Sequence, residues 1–493
     1  MRANRFQPSP ALRRPVWLHP TVFRIESLSA LVVAMALIPE ALSFSIIVGV
    51  DPRVGLFTAA IMAMTIAFTG GRPAMISAAT GSVSLVLAPL MASHGLQYLI
   101  AAVFLGGAMQ ILLAVLGVAR LMRFLPRSVM VGFCNALGIL IFVHQFPYLT
   151  NVPWAVYALL AVGLALLVWI PKLTTAVPAP LLVIVGLTAF TVLAGVAVPT
   201  VGDQGELPDG LPTLIGLPDV PLTVDTLKII APFALAMAVV GLLESLMSAK
   251  LVDAVTDTHS DKTRESWGQG VANIVTGLFG GMGGCALIGQ TIINVKTGGA
   301  RTRLSTFLSG AFLLILVVGL GDVVGTIPMA ALVAVMVLVA ATTFDWHSVR
   351  TLRRMPLSET MVMLSTVAGT LATDNLAIGV GVGVLVAMVL FARRVAHMVD
   401  VHGELDGDVK TYRVSGQLFF ASSNDLVFSF DYADDPARVV IDLSGATIWD
   451  ASTVAALDGI TTKYASRGTD VTVEGLNPVS EERYRRLTGR LGD

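Results

Sequence analysis

The sequence predicts an α-helical polytopic membrane protein of about fourteen transmembrane segments in two inverted halves, followed by a small cytoplasmic α/β domain. Three observations carry this expectation. Of 493 residues, 55% are hydrophobic and only 13% are charged. A soluble domain carries roughly a quarter charged residues, so much of this surface must face lipid. From about residue 24 to 397, apolar stretches alternate with short polar or glycine-rich breaks. After Arg394 the composition becomes that of a soluble domain.

The opening residues, Met1 to Pro20, hold Arg2, Arg5, Arg13 and Arg14 but no apolar run with a cleavage site. They read as a cytoplasmic tail rather than a signal peptide. With roughly 20 apolar residues per span, the first half gives segments near 24–48, 54–69, 77–93, 96–119, 126–147, 153–170 and 180–199. The second half gives 227–250, 266–280, 285–297, 303–321, 326–343, 357–374 and 376–397.

Charge placement supports that count. With the N-terminus inside, the inner loops hold Arg72, then Arg120, Arg123 and Arg127, then Lys172, then Lys262 and Arg264. They continue with Lys296, Arg301 and Arg303, then Arg350, Arg353 and Arg354, and finally Arg393 and Arg394. The outer side keeps Arg53 and Lys228, and its long loop carries Asp203, Glu206, Asp209, Asp219 and Asp225. This is the positive-inside pattern, with both termini cytoplasmic. Dropping either weak segment, 77–93 or 285–297, would reverse the loops that follow it.

Those two segments are short. Ala286 to Lys296 would rise only about 16 Å, half the hydrocarbon core. Each follows glycine pairs, Gly70-Gly71 in one case and Gly280-Gly281 with Gly283-Gly284 in the other, and each is third in its half. An odd number of spans per half inverts the second half. Interrupted segments at matching places in inverted repeats point to a substrate site at the bilayer midplane.

The half-helices are expected to begin near Ser77-Ala-Ala-Thr-Gly-Ser and Ala286-Leu-Ile-Gly-Gln-Thr. Their amino ends would meet and offer backbone N–H groups to an anion. Thr80, Gly81 and Ser82, with Gly289, Gln290 and Thr291, are the candidate substrate-binding residues; close packing of small residues is the alternative. Two carboxylates stand in matching places, Glu40 in the first segment and Glu244 in the eighth. A charged group in hydrocarbon costs about 2.5–3.5 kcal/mol on insertion scales, so each is expected at a cavity or a partner. One reading is a proton or cation site, with Ser248 one turn from Glu244 sharing its ligand. The other is a carboxyl that fixes helix packing.

Other classes lack support. No P-loop is present for ATP-driven pumping, no histidine spacing suits a metal, and no nucleophile–base pair suggests an enzyme. Cys134 and Cys285 read as small packing residues. A net charge of −1 gives no basic field for nucleic acid. Gly379-Val-Gly-Val-Gly reads as helix packing, and Asp322, Asp345 and Asp374 as solvated caps. No cofactor is expected. Residues from about 401 to 493 alternate in strands such as 410–415 and 438–443, with helices near 452–466 and 479–490. They suit an independent fold.

Several stretches resemble the SulP (sulfate permease) anion transporters. Pro39-Glu40-Ala41-Leu42-Ser43, leading to Gly49 and to Gly55-Leu56-Phe57, is similar to that family's first-segment signature. Gly268 to Gly280 resembles its ninth segment, and Asn294 with Gly299-Ala-Arg-Thr-Arg-Leu the end of its tenth. Ile441-Asp-Leu-Ser and Trp449-Asp-Ala-Ser resemble its C-terminal STAS domain. The resemblance implies a core of about residues 21–125 and 226–322 that moves like an elevator against a gate of about 126–200 and 323–400. It also implies a homodimer, an anion held by the third and tenth half-helices, and coupling at Glu244. Gly289-Gln290-Thr291 stands where many members have Ser-Arg-Ser, and Ala78-Ala79 where Gly-Pro is common. Ser452 matches a position phosphorylated in related regulators, with Thr453 in place of the usual glycine, so an unknown regulatory partner of this domain is expected.

The expected function is secondary active anion transport in a bacterial-type inner membrane, as proton-coupled symport of a small organic dicarboxylate such as fumarate. Ile288, Ile292 and Met282 around the missing arginine favour an organic substrate. Sodium-coupled bicarbonate or sulfate transport remains open, as does an anion channel or a membrane sensor acting through the STAS domain.

Overall fold

The structure, a computed structural model, describes residues 19–117, 126–173, 177–221, 223–396 and 399–489. Residues 1–18 of the N-terminal tail, with its four arginines, and the inner-loop Arg120 and Arg123 lie outside the described residues.

The first half runs α1 (Pro20–Val48), α2 (Pro52–Thr69), β1 (Ser77–Ala78), α3 (Gly81–His94), α4 (Leu96–Val115), α5 (Arg127–Val143), α6 (Trp154–Leu173) and α7 (Ala179–Ala194). The second runs α8 (Val224–Thr256), α9 (Lys262–Leu278), β2 (Cys285–Ala286), α10 (Ile288–Ile292), which continues as a π turn over Ile293–Thr297, and α11 (Arg303–Gly319). Then come α12 (Gly321–Gly325), α13 (Met329–Thr343), α14 (Trp346–Thr351), α15 (Leu357–Thr373) and α16 (Leu376–Ala396). Each expected span coincides with a helix. The two short helices α12 and α14 are additions.

Local signals set the boundaries. Proline opens α1 and α2, where no N–H is needed, and Gly49 ends α1 in the left-handed conformation at φ 84°. Among the described residues, seven helices are long and apolar enough to cross a membrane, while α3, α7, α11 and α13 are shorter apolar helices. Pro39 inside α1 removes one ladder hydrogen bond, and Ser43 Oγ donates to the Pro39 carbonyl at 2.7 Å.

The starts of the broken segments differ from expectation. Ser77 and Ala78 are extended, not helical, and so are Cys285 and Ala286. They pair antiparallel, Ser77 opposite Ala286 and Ala78 opposite Cys285. Far from water, the backbone of an interrupted segment needs partners, and each strand supplies them to the other. Glycine makes the approach possible: a Cβ on Gly284 would lie 2.0 Å from the Ala78 carbonyl oxygen.

A buried clamp fixes β2. The Gly284 N–H donates to Asn273 Oδ1 at 2.9 Å, and Asn273 Nδ2 donates to the Gly284 carbonyl at 3.1 Å and to Gln110 Oε1 at 3.0 Å. On the other side, the Ala286 N–H donates to Ser245 Oγ at 3.1 Å.

Helices α1–α4 pack chiefly among α8, α9 and α11, whereas α5, α6, α7, α13 and α15 pack among themselves. Glycines permit the closest crossings. A Cβ on Gly107 would lie 2.7 Å from the Gly270 carbonyl oxygen, and one on Gly270 2.5 Å from that of Gly107, where α4 meets α9.

The chain divides into two compact units between Val384 and Leu385, inside α16. In the second unit a four-stranded sheet has the order β3 (Asp400–Asp406), β4 (Val409–Leu418), β5 (Arg438–Ile448), β6 (Asp470–Glu474). The β3–β4 pair is antiparallel and the others are parallel. Helices α17 (Phe420–Phe428), α18 (Ala451–Ala465) and α19 (Pro478–Leu487) complete the unit. Its core joins Val414, Ile441 and Leu443 from the sheet to Leu426, Leu457 and Tyr464 from the helices. Tyr412 donates to Asp435 at 2.8 Å, and Tyr464 donates to the same carboxylate. Burial, and then the Asp435 carboxylate, push the Tyr412 phenol up to about 12.

Two expectations follow. Asn273→Leu leaves the Gly284 N–H and Gln110 Oε1 without their partner, at roughly 1–3 kcal/mol per buried group. The apparent melting temperature in detergent should therefore fall by several degrees; an unchanged melt would contradict the clamp. In the soluble unit, a phenol with a raised folded pKa gives stability that is full below the ordinary value of about 10 and lost as pH rises through about 12. The urea midpoint of residues 399–489 should hold up to about pH 10 and fall above it, less steeply in Asp435→Ala, as followed by circular dichroism.

Candidate functional site

The site forms where the β1–β2 crossing releases α3 and α10 against α1 and α8. Thr80 is the residue before α3 and Leu287 the residue before α10, and neither start has a side-chain cap. The first-turn N–H groups of both segments therefore point into the crossing without a side chain of their own to satisfy them. Gly81 opens α3 beneath Phe44 of α1: a Cβ there would lie 2.9 Å from the Phe44 ring and 3.2 Å from Ile141 of α5. At Gly289, by contrast, an added Cβ meets nothing within 4 Å.

Each of the two carboxylates expected from the sequence reaches across to a broken segment. Ser82 Oγ, one residue into α3, donates to Glu244 Oε2 of α8. Cys285 Sγ on β2 donates to the same oxygen at 3.2 Å and lies 3.1 Å from Thr80 Oγ1. Glu244 is only 6% exposed. On the other side, Gln290 Nε2 of α10 donates to Glu40 Oε1 of α1 at 2.6 Å. The partners of both carboxylates are thus neutral groups, and they tie α8 to α3 and β2, and α1 to α10.

Not every candidate faces this cluster. Thr291 is buried and its Oγ1 accepts from the Ile76 N–H at 3.0 Å, which anchors α10 to the chain entering β1. Ser248, one turn along α8 from Glu244, is fully buried, and its Oγ has no hydrogen-bond partner among the described residues. In the second unit, Ser452 is exposed in the first turn of α18, two residues after the capping Asp450. Its neighbour Thr453 is buried and donates to Asp450 Oδ1 at 3.1 Å.

The structure corrects one reading and adds two residues that the sequence does not single out. Cys285 is a hydrogen-bonding member of the Glu244 cluster, not only a packing residue. Two further carboxylates, Glu26 and Glu265, are buried as well. Glu26 is 1% exposed and accepts from the Arg301 and Thr302 N–H groups at 2.7 and 3.0 Å, capping the start of α11. Glu265 is fully buried and accepts from the Gly71 and Arg72 N–H groups at 2.8 and 3.0 Å. Both brace the chain around the broken segments, and their place beside polar residues at segment ends hides them in the sequence. Among the described residues, no group of His, Cys, Asp and Glu is placed to hold a metal ion.

Residues 23–160 and 149–366 match the sulfate permease family, and residues 402–488 match the STAS domain. The chain is 51% identical to the putative sulfate transporter YbaR of Bacillus subtilis (strain 168), over 94% of this chain and 97% of that protein. The solved transmembrane domain of a cyanobacterium bicarbonate transporter, BicA, aligns with a TM-score of 0.66 at 23% identity, over 74% of this chain and 98% of that one. Murine Solute Carrier 26 family member A9, an anion transporter solved in the inward-facing state, aligns with a TM-score of 0.83 at 16% identity, over 95% of this chain and 89% of that one. At those identities the two structures speak for the fold alone. With most of its length matched, this chain belongs to the sulfate permease family of anion transporters, as an integral membrane protein that ends in a STAS domain.

Proposed function

We propose that this anion transporter is a secondary active symporter, which carries a small organic dicarboxylate such as fumarate together with protons. One observation carries the reading: the hydrogen-bond partners of Glu40 and Glu244 are Gln290, Ser82 and Cys285, all neutral. Gln290 stands in the place of the family's frequent arginine. An anion entering this crossing meets backbone N–H groups and hydroxyls but no cation among those partners. Its charge, beside two carboxylates in a low-dielectric interior, is offset most simply if the carboxylates take up protons as it enters. The proposed ligand-binding set is Thr80, Gly81, Ser82, Gly289, Gln290 and Thr291, with Thr291 holding the backbone.

In this reading α1–α4 and α8–α11 form a core that carries the anion, and α5–α7 with α12–α16 form the gate. The core slides against the gate in an elevator-like motion within a homodimer. The chain sits in the inner membrane, in lipid, with both termini and the STAS domain in the cytoplasm. Ser452 is the proposed regulatory position, because it is exposed beside a helix start where added phosphate charge would alter docking of a partner.

A second reading rests on Ser248, whose buried and unpartnered oxygen lies one turn from Glu244. With Glu244 it would supply oxygen ligands to sodium, coupled to bicarbonate or sulfate.

Uptake into proteoliposomes separates these. Labelled fumarate, sulfate and bicarbonate are compared under an inward proton gradient, a sodium gradient or neither. The proposal expects proton-stimulated fumarate uptake that falls to the unstimulated rate in Glu244→Gln and is unchanged in Ser248→Ala. Sodium-stimulated bicarbonate or sulfate uptake lost in Ser248→Ala would transfer the site to the second reading. Rapid flux without accumulation would indicate a channel, and absence of any flux a sensor.

A further inference from the structure

We infer that Cys285 is a positioning residue whose thiol sets the proton affinity of Glu244, and with it the pH at which transport is half-maximal. This rests on the proton-coupled reading of Glu244 given above.

The thiol is held in place with unusual completeness. It projects from a two-residue strand whose neighbours on both sides are pinned: Gly284 by both its backbone groups to Asn273, and Ala286 by its N–H to Ser245. The strand itself is paired with β1, Cys285 lying opposite Ala78. No rotation of the backbone is free to carry the sulfur away. It donates to Glu244 Oε2 at 3.2 Å, the same oxygen that accepts from Ser82, and it is fully buried.

The physical consequence is specific. A donor hydrogen bond to a carboxylate stabilises the charged form, and the effect grows in a medium that cannot otherwise solvate it. An S–H group is a weak donor, so it adds less support than a hydroxyl would. Removing it favours the protonated carboxyl and moves proton release to higher pH. Thr80 Oγ1, 3.1 Å from the sulfur, completes a chain of donors from the start of α3 to Glu244. A change in how α3 and β2 meet would therefore reach the carboxylate through the thiol.

The other titratable groups that face Glu244 are few. Glu40 of α1 and Cys134 of α5 both feel its charge, as does Cys285 itself. Among the described residues the thiol is one of two side-chain donors to this carboxylate, and the other, Ser82, belongs to the proposed anion site.

The test uses the full-length protein in lipid. Infrared titration follows the protonated carboxyl band that Glu244→Gln removes. The same samples give proton-driven uptake as a function of pH. Cys285→Ala and the nearly isosteric Cys285→Val should both move the Glu244 midpoint upward by about one pH unit. The uptake profile should move with it, and Cys285→Ser, whose hydroxyl is the stronger donor, should bring both back to the wild-type midpoint or below it. Equal midpoints in wild type, Ala, Val and Ser forms would overturn the inference and leave the coupling role of Glu244 standing. A shift in the infrared midpoint with no pH dependence of uptake would instead sink the coupling reading, while keeping the thiol as the group that tunes Glu244. If the alanine form fails to fold, the valine form carries the same comparison.

Discussion

The constraint on which the rest of the structure depends is that backbone polar groups far from water must be satisfied. Two segments break off inside the molecule, and the unpaired N–H and C=O groups at each break would cost several kcal/mol apiece in hydrocarbon. The chain answers by bringing both breaks to one place and pairing them, Ser77 with Ala286 and Ala78 with Cys285. Everything near the crossing serves that arrangement. Gly284 lets the strands approach, Asn273 and Ser245 satisfy what the pairing leaves, and Thr291 ties α10 to Ile76. The helices that follow then start with free N–H groups in the middle of the bundle.

A consequence is a crossing in which, among the described residues, the hydrogen-bond partners of the two carboxylates are neutral. In the proposed function, backbone dipoles attract the anion, and Glu40 and Glu244 are the groups that take up protons. Their neutral partners come from both halves of the chain, Gln290 reaching Glu40 and Ser82 reaching Glu244. Each carboxylate therefore senses the broken segment of the opposite half. In the proposed symport, direct hydrogen bonds, without any long pathway, are what would couple protons on these groups to movement of the segments.

Much of this was legible in the sequence, for identifiable reasons. Glu40 and Glu244 stand out because an acid in an apolar run is expensive and rare. The broken segments show through glycine pairs and short length. Strand pairing does not, because two residues carry no alternation to read. Cys285 is invisible as a donor, since in an apolar run a cysteine looks like any small buried residue. Nor does spacing alone tell that Gln290 faces Glu40 while Thr291 faces Ile76. In the soluble unit, β4, β5, α18 and α19 follow from alternation and helical periodicity. The edge strand β3 is almost wholly exposed, and β6 turns only Val471 and Val473 to the core within five residues, too short an alternation to stand out.

The central claim is that proton and anion move together through Glu244. Its most direct test is the pH inside proteoliposomes, read by a trapped dye when fumarate is added outside with no gradient imposed. The account predicts that the lumen acidifies as fumarate enters. In Glu244→Gln the acidification should vanish, while exchange of labelled for unlabelled fumarate continues. Fumarate entry without acidification, or acidification that survives Glu244→Gln, would contradict it.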